Sequence, residues 1–207
     1  GPLCEDEALK IFVDILDGLQ YLHGQSPALL HNDVDPSNVM LSETTDEAVI
    51  IDLGHISERC TGLAHFDTSD LDVLYHANET ASGIFDEQSD IFSACCVLFY
   101  MLTGSAPWQS VIEGATYKER LKSLWQYRKG HKLELDAIAC SQKCRDILSK
   151  GLELRNSDRY KSVTEIINDL NGRPSDASAQ ESSAEGAHSP FPGRERANQG
   201  PNYVEFP

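Results

Sequence analysis

The 207-residue sequence has no apolar run long enough to cross a membrane. The longest, from Ile91 to Leu102, is interrupted by Ser93. It falls short of the ~18 apolar residues that a spanning helix needs and reads instead as a buried core helix. No charged-then-apolar leader is visible at the start. Basic residues are scarce: 17 Lys+Arg stand against 33 Asp+Glu, a formal net charge of −16. Nucleic acid is bound through basic clusters that neutralise phosphates, and an anionic membrane surface attracts basic segments, so neither is an expected partner. The six cysteines, Cys4, Cys60, Cys95, Cys96, Cys140 and Cys144, form no CxxC pair and no regular framework. That argues against a structural zinc site or a disulfide scaffold. Reduced, partly buried thiols fit a cytoplasmic setting. His23, His55, His65 and His76 are not spaced as a metal site.

What is present is an ordinary globular composition, 40% hydrophobic and 24% charged. Leu9, Phe12, Leu16, Leu19 and Leu22 recur at helical spacing and predict a first helix over 5–22. Glu5, Asp6 and Glu7 favour the positive end of its dipole. A polar cluster, 31–38, precedes two short predicted strands, 39–41 and 48–51, joined by a polar turn as a hairpin. Asp52-Leu53-Gly54 comes directly off the second strand, and 55–80 reads as a long loop. Thr61, Thr68 and Ser69 are candidate phosphosites there, though Ser and Thr are common in any loop. An all-round apolar helix starts near Ser89, with Cys95 and Cys96 as core thiols and Trp108 packing the turn that follows. Further helices are expected over 117–127 and 141–152. The last opens with Ser162-Val163-Thr164-Glu165, read as a capping box in which Ser162 and Glu165 satisfy each other's amides.

After Gly172 the composition turns to Ser, Ala, Gly, Pro and Glu with almost no large apolar residue. Such a stretch cannot offset its ordering entropy and is expected to be disordered. Tyr203-Val204-Glu205-Phe206 restores an apolar–polar alternation. It suits the start of a further domain, or a short tail that docks on its own domain or does nothing. The division is therefore a domain over 1–172 and a tail or linker over 173–207. The fold class is mainly α within α+β: a helical unit with a short β-hairpin carrying two polar loops.

Asp33, Asn38 and Asp52 flank that hairpin. Carboxylate and amide oxygens brought together suit a hard cation such as Mg²⁺, which takes one or two carboxylates plus substrate phosphates. Asp33 is then left as a proton acceptor. By spacing alone the same residues serve equally as turn and cap residues, which Asp and Asn favour.

The order of motifs carries a resemblance. His31-Asn32-Asp33-Val34-Asp35-Pro36-Ser37-Asn38 resembles the H-R-D-L-x-x-x-N catalytic loop of the eukaryotic-type protein kinases. Asp52-Leu53-Gly54, fourteen residues after Asn38, resembles D-F-G, and Ala77-Asn78-Glu79 resembles A-P-E. Ser89-Asp90-Ile91-Phe92 looks like the start of the family's central buried helix, and Asp158-Arg159 like its late arginine. The resemblance runs from about residue 4 to 171. It implies a kinase C-terminal helical lobe, ATP and Mg²⁺ as cofactors, and protein Ser/Thr hydroxyls as substrate. Asp33 would accept the hydroxyl proton, and Asn38 and Asp52 would hold Mg²⁺ against the ATP phosphates. Met40 would form part of the adenine floor. His31 and Asp90 would be structural, Asp90 anchoring the catalytic loop, and Glu79 with Arg159 would form a buried ion pair.

The departures from the family are specific. No G-x-G-x-x-G loop, strand lysine or partner-glutamate helix is present, so the N-terminal lobe is expected to be missing. Asn32 replaces the arginine that receives a phosphorylated loop. Asp35 stands where a lysine near the transferring phosphate is usual, and its charge would oppose phosphoryl transfer unless a cation offsets it. Asn78 replaces a proline. Two alternatives remain beside a protein kinase fragment. One is a pseudokinase-type interaction module. The other is a choline- or aminoglycoside-type small-molecule kinase, whose H-N-D loop is similar to His31-Asn32-Asp33 but which lacks the activation segment and later helices.

Overall fold

The computed structural model describes residues 1–45, 47–59, 71–109 and 112–172, and the backbone of 203–205. Cys60, Thr61, His65, Thr68, Ser69 and the stretch expected to be disordered lie outside the described residues.

Two helices make the centre. Helix α1, Glu5–His23, buries Ala8, Ile11, Phe12, Ile15, Leu16 and Leu19 along one stripe. Fully burying each large side chain of that stripe contributes roughly 1.5–3 kcal/mol. Helix α2, Glu87–Thr103, is buried on every side through Ile91, Phe92, Cys95, Cys96, Leu98 and Met101, as its unbroken apolar run requires. It begins two residues before Ser89 because Asp86 is the cap: Ser89 N donates to Asp86 Oδ1 at 2.9 Å, and Asp86 N to Ser89 Oγ at 2.9 Å.

Around this pair lie α3, Tyr117–Gly130, α4, Gln142–Gly151, and α5, Val163–Leu170. Helix α4 packs against α2 at a glycine: a Cβ on Gly151 would sit 2.2 Å from Cys95 Sγ, so no larger residue allows that approach. Helix α3 runs past Tyr127 because Arg128, a polar residue invisible to apolar periodicity, turns inward and is buried. The capping box foreseen at α5 is only half made. Glu165 N donates to Ser162 Oγ at 3.3 Å, but the Glu165 carboxylate accepts from Lys161 N at 3.0 Å instead of from the cap residue.

The strands are short. Strand β1, Leu29–Leu30, pairs antiparallel with β4, Ser57–Glu58. Strand β2, Val39–Ser42, pairs antiparallel with β3, Ala48–Ile50, placing Met40 opposite Val49. Strand β5, Tyr203–Glu205, pairs antiparallel with the other edge of β2. The segment read as a long loop contains β4 and two 3₁₀ turns, Val73–Tyr75 and Asn78–Ser82. Tyr117, Leu121 and Leu124 of α3 cover this region with Leu71 and Val73 in a second apolar cluster. Among the described residues no helix is long and apolar enough to cross a membrane.

Candidate active site

The hairpin brings its two polar loops together through its own register. Asn38 precedes β2 and Asp52 follows β3, and Ile51 N donates to Asn38 O at 2.8 Å. The 31–38 loop is then tied to α2. Asp90, 1% exposed, accepts His31 N at 2.9 Å and Asn32 N at 2.8 Å. His23 Nε2 lies 2.9 Å from the same carboxylate. The buried His31 ring closes the loop on Ile51, the residue that follows β3. Its Nδ1 accepts from Asp33 N at 3.3 Å, so its Nε2 carries the proton toward Ile51 O at 3.1 Å.

Asp33 and Asn38 are both buried and face each other. Asn38 Nδ2 donates to Asp33 O and to Asp33 Oδ2, each at 2.9 Å. Asp33 Oδ1 is buried with no partner among the described residues. Burial, and then the neighbouring Asp35 charge, holds the Asp33 carboxyl above its ordinary range, while His76 and His55 pull it down. His55 Nδ1 lies 3.4 Å from Asp33 Oδ2.

Asp35 is occupied in its own turn. Its Oδ1 accepts Ser37 N at 2.7 Å, Ser37 Oγ at 2.6 Å and Asn38 N at 3.1 Å. It caps the 3₁₀ turn Pro36–Asn38 and so sets where Asn38 stands. Asp52 adopts a left-handed backbone, φ 60°, and its Oδ1 accepts Gly54 N at 3.0 Å. Asp52 is exposed, whereas Asp33 is buried. Met40 is half-buried on β2.

The oxygen donors fit a hard cation. Asn38 spends its amide nitrogen on Asp33, and its amide oxygen is a neutral donor on a loop that the Ile51–Asn38 bond joins to the Asp52 loop. Among the described residues no group of three His, Cys, Asp or Glu could hold a metal. One carboxylate plus one amide is the set expected where substrate phosphates complete a Mg²⁺ shell.

The chain following Asp52 is locked to the same loop. Asn32, with φ 66°, donates from Nδ2 to His55 O at 2.7 Å and to Ser57 Oγ at 2.9 Å. His76, 2% exposed, has Nε2 2.8 Å from Asn32 O and Nδ1 2.8 Å from Asp72 O. Arg128, also 2% exposed, donates to His76 O at 2.7 Å, Asn78 Oδ1 at 3.0 Å and Leu74 O at 3.1 Å. Its guanidinium lies over Phe92 and Trp108, and burial pushes its pKa down to about 10. Asn78, in place of proline, supplies one of those acceptors. Glu79 accepts from Arg159 NH2 at 3.0 Å and, through its other oxygen, from NH1. Arg159 is 1% exposed. Trp108 stacks on Phe92 at a centroid separation of 6.3 Å.

Sequence reading passed over His55, His76 and Arg128 as site-forming groups. No local signal marks them: the His76 and Arg128 contacts join residues 44 and 52 apart in the chain. What they help build is a helical domain whose hairpin carries a buried carboxylate–amide pair on one loop and an exposed carboxylate on the other. The protein kinase domain family matches residues 1–170, and the chain belongs to that family. It is 32% identical over 172 residues to mitogen-activated protein kinase kinase kinase 17 of Arabidopsis thaliana, covering 81% of this chain and 43% of that protein. It is 27% identical over 165 residues to mitogen-activated protein kinase kinase kinase 8 of Rattus norvegicus, covering 79% and 34%. It is 27% identical over 188 residues to serine/threonine-protein kinase PknB of Mycobacterium leprae, covering 86% and 28%. The chain spans less than half the length of each of these relatives.

Proposed function

We propose that the chain is the C-terminal lobe of a Ser/Thr protein kinase, which transfers the ATP γ-phosphoryl group to a protein hydroxyl once a second lobe is supplied. The observation that carries this reading is the buried Asp33–Asn38 pair, held at 2.9 Å and joined to the Asp52 loop by the Ile51–Asn38 bond. Asp33 takes the hydroxyl proton through Oδ1, which has no partner among the described residues. Asn38 and Asp52 are the residues that would hold Mg²⁺. The ion, when bound, neutralises charge on the phosphates. Met40 would form part of the floor under the adenine. Asp90 holds the amides on either side of the His31–Asn32 link, which fixes the approach of Asp33.

Asp35 carries a negative charge where its charge would oppose phosphoryl transfer. Its three local bonds favour a catalytic lobe, because they give the carboxylate a capping role that orders Asn38. The Arg128 and His76 packing of residues 72–78 favours a protein kinase over a small-molecule kinase.

The reading is tested by phosphoryl transfer to a protein substrate from radiolabelled ATP. The 207-residue chain alone should be inactive. Joined to a lobe bearing a glycine-rich loop and a strand lysine, it should turn over, and Asp33→Ala should abolish that turnover. Robust activity of the lone chain would overturn the single-lobe reading. Full activity of the joined Asp33→Ala protein would overturn the role given to Asp33.

A further inference from the structure

Basic residues are unevenly placed along this acidic chain. Lys118, Arg120, Lys122, Arg128, Lys129 and Lys132 are six of its 17 Lys+Arg, and within 118–132 Glu119 is the one acid. The stretch is α3 with the two residues that follow it. The inner face of the helix is Tyr117, Leu121, Leu124 and Arg128, all buried. One residue further on at each step come Lys118, Lys122, Trp125 and Lys129, all exposed. Helical spacing puts these four in one row along the outer face. Trp125 stands in the middle of the row, 39% exposed, with Lys129 Nζ over its ring at 4.5 Å from the centroid. Glu119 is turned to the helix start, where it accepts Ala115 N and Thr116 N at 3.1 Å each. Among the described residues no ion pair takes up Lys118, Lys122 or Lys129.

We propose that this outer row of α3 docks a short acidic segment of a partner protein, the lysines meeting its carboxylates and Trp125 taking an apolar side chain between them. Charge complementarity selects the sign of the partner. On a chain of net charge −16 the row is a local positive field, and screening beyond about 8 Å at physiological salt lets a partner at the row feel the lysines before the distant acids. Size selects a peptide over a nucleic acid. From Lys118 to Lys129 the helix rises about 17 Å, a span that about five extended residues match. A longer polyanion would run off the row onto a chain of its own sign. Trp is enriched among the residues that carry binding energy, and lysine stems lie on apolar surface while their charged ends stay in water. A carboxylate drawn to Lys129 is therefore brought to the edge of the Trp125 ring. The inner face of the same helix holds residues 74–80 through Arg128 and Tyr117, so the docked partner is carried on the element that supports that segment. The surface is argued from charge and helical register and stands whether or not the kinase reading does.

Fluorescence anisotropy with the full 207-residue chain tests it. The probe is a fluorescein-labelled peptide in which two glutamate pairs flank one phenylalanine. Lys122→Glu reverses a charge in the middle of the row. Lys143→Glu makes the same change in net charge on the exposed first turn of α4. Trp125→Ala removes the apolar anchor and leaves the charge. All three positions are exposed, so the melting temperatures should stay at the parent value. Probe affinity should fall roughly tenfold in Lys122→Glu and in Trp125→Ala, and by less than about twofold in Lys143→Glu. It should also weaken as salt is raised, and a probe with lysine in place of glutamate should not bind. No binding to the parent chain at about 1 mM probe, the weak end of specific affinity, would overturn the proposal. Equal losses in Lys122→Glu and Lys143→Glu would reduce the effect to net charge and overturn the row. Unchanged affinity in Trp125→Ala would overturn the anchor. Tighter binding of single-stranded DNA, lost in Lys122→Glu, would make nucleic acid the occupant and overturn the choice of a peptide.

Discussion

Glu79→Ala should be among the most damaging single changes in this domain. Arg159 is 1% exposed, and its guanidinium has five N–H donors. The structure accounts for all of them. Nε donates to Glu153 O at 2.7 Å. NH1 is shared between Glu79 and Gln88 O, and NH2 between Glu79 and Leu154 O. The face of the group lies over Phe92 at 4.7 Å. Removing the Glu79 carboxylate strands two donors, each at about 1–3 kcal/mol, and leaves a buried cation without its counter-charge. The expected loss is about 3–5 kcal/mol, a large fraction of the 5–15 kcal/mol that holds a typical domain together. Equilibrium urea unfolding, followed by Trp108 and Trp125 fluorescence, measures it. Arg159→Met should cost less than Glu79→Ala, because Glu79 is 13% exposed and can turn to water. The double variant should recover part of the Glu79→Ala loss. A loss below about 1 kcal/mol, the range of a surface pair, would refute the reasoning.

In a two-lobed form, Asp33→Ala should lower kcat strongly with nucleotide binding kept, whereas Asp52→Ala should also weaken binding of Mg·ATP by calorimetry; near-normal turnover in both would remove the assigned roles. Asp35→Lys, expected from charge alone to raise the rate, should instead lower it, because the cap on Asn38 is lost at about 0.5–2 kcal/mol; Asp35→Asn should keep most activity, and a faster Lys variant would contradict the capping role. The raised Asp33 carboxyl binds its proton more tightly folded than unfolded, so its contribution to stability falls as pH rises through and above the ordinary carboxylate range. Asp33→Asn should therefore raise the neutral-pH melting temperature and remove that slope; no gain in calorimetry would argue against a desolvated charge. Burial pushes the Cys96 thiol up to about 12 and Cys95 higher still, so a thiol reagent should label exposed Cys4 in the native chain and the α2 pair only on unfolding.

The sequence by itself determined the long helices and the hairpin, and their order, but not the short strands and 3₁₀ turns of the segment read as a loop. The α1 and α2 helices were legible because burial imposes a period on one and an unbroken apolar run on the other. The hairpin was legible because two short apolar strands flank a polar turn. That hairpin also placed Asn38 near Asp52 in advance, since antiparallel register forces the residue before one strand beside the residue after the next. The family was read from motif order, a property of the linear chain. Tertiary structure alone decided how each polar side chain is used. Asp35 looked like a misplaced charge and is a cap, because three donors converge on one oxygen only once the turn closes. Glu165 looked like the second half of a capping box, but its longer side chain reaches one residue further back, to Lys161 N. Arg128 and His76 carried no periodic signal, because a buried polar residue is stabilised by partners far along the chain rather than by neighbours at helical or strand spacing. Hydrophobic patterning is a local code that repeats every few residues, whereas hydrogen-bond partners are assigned only when distant segments meet.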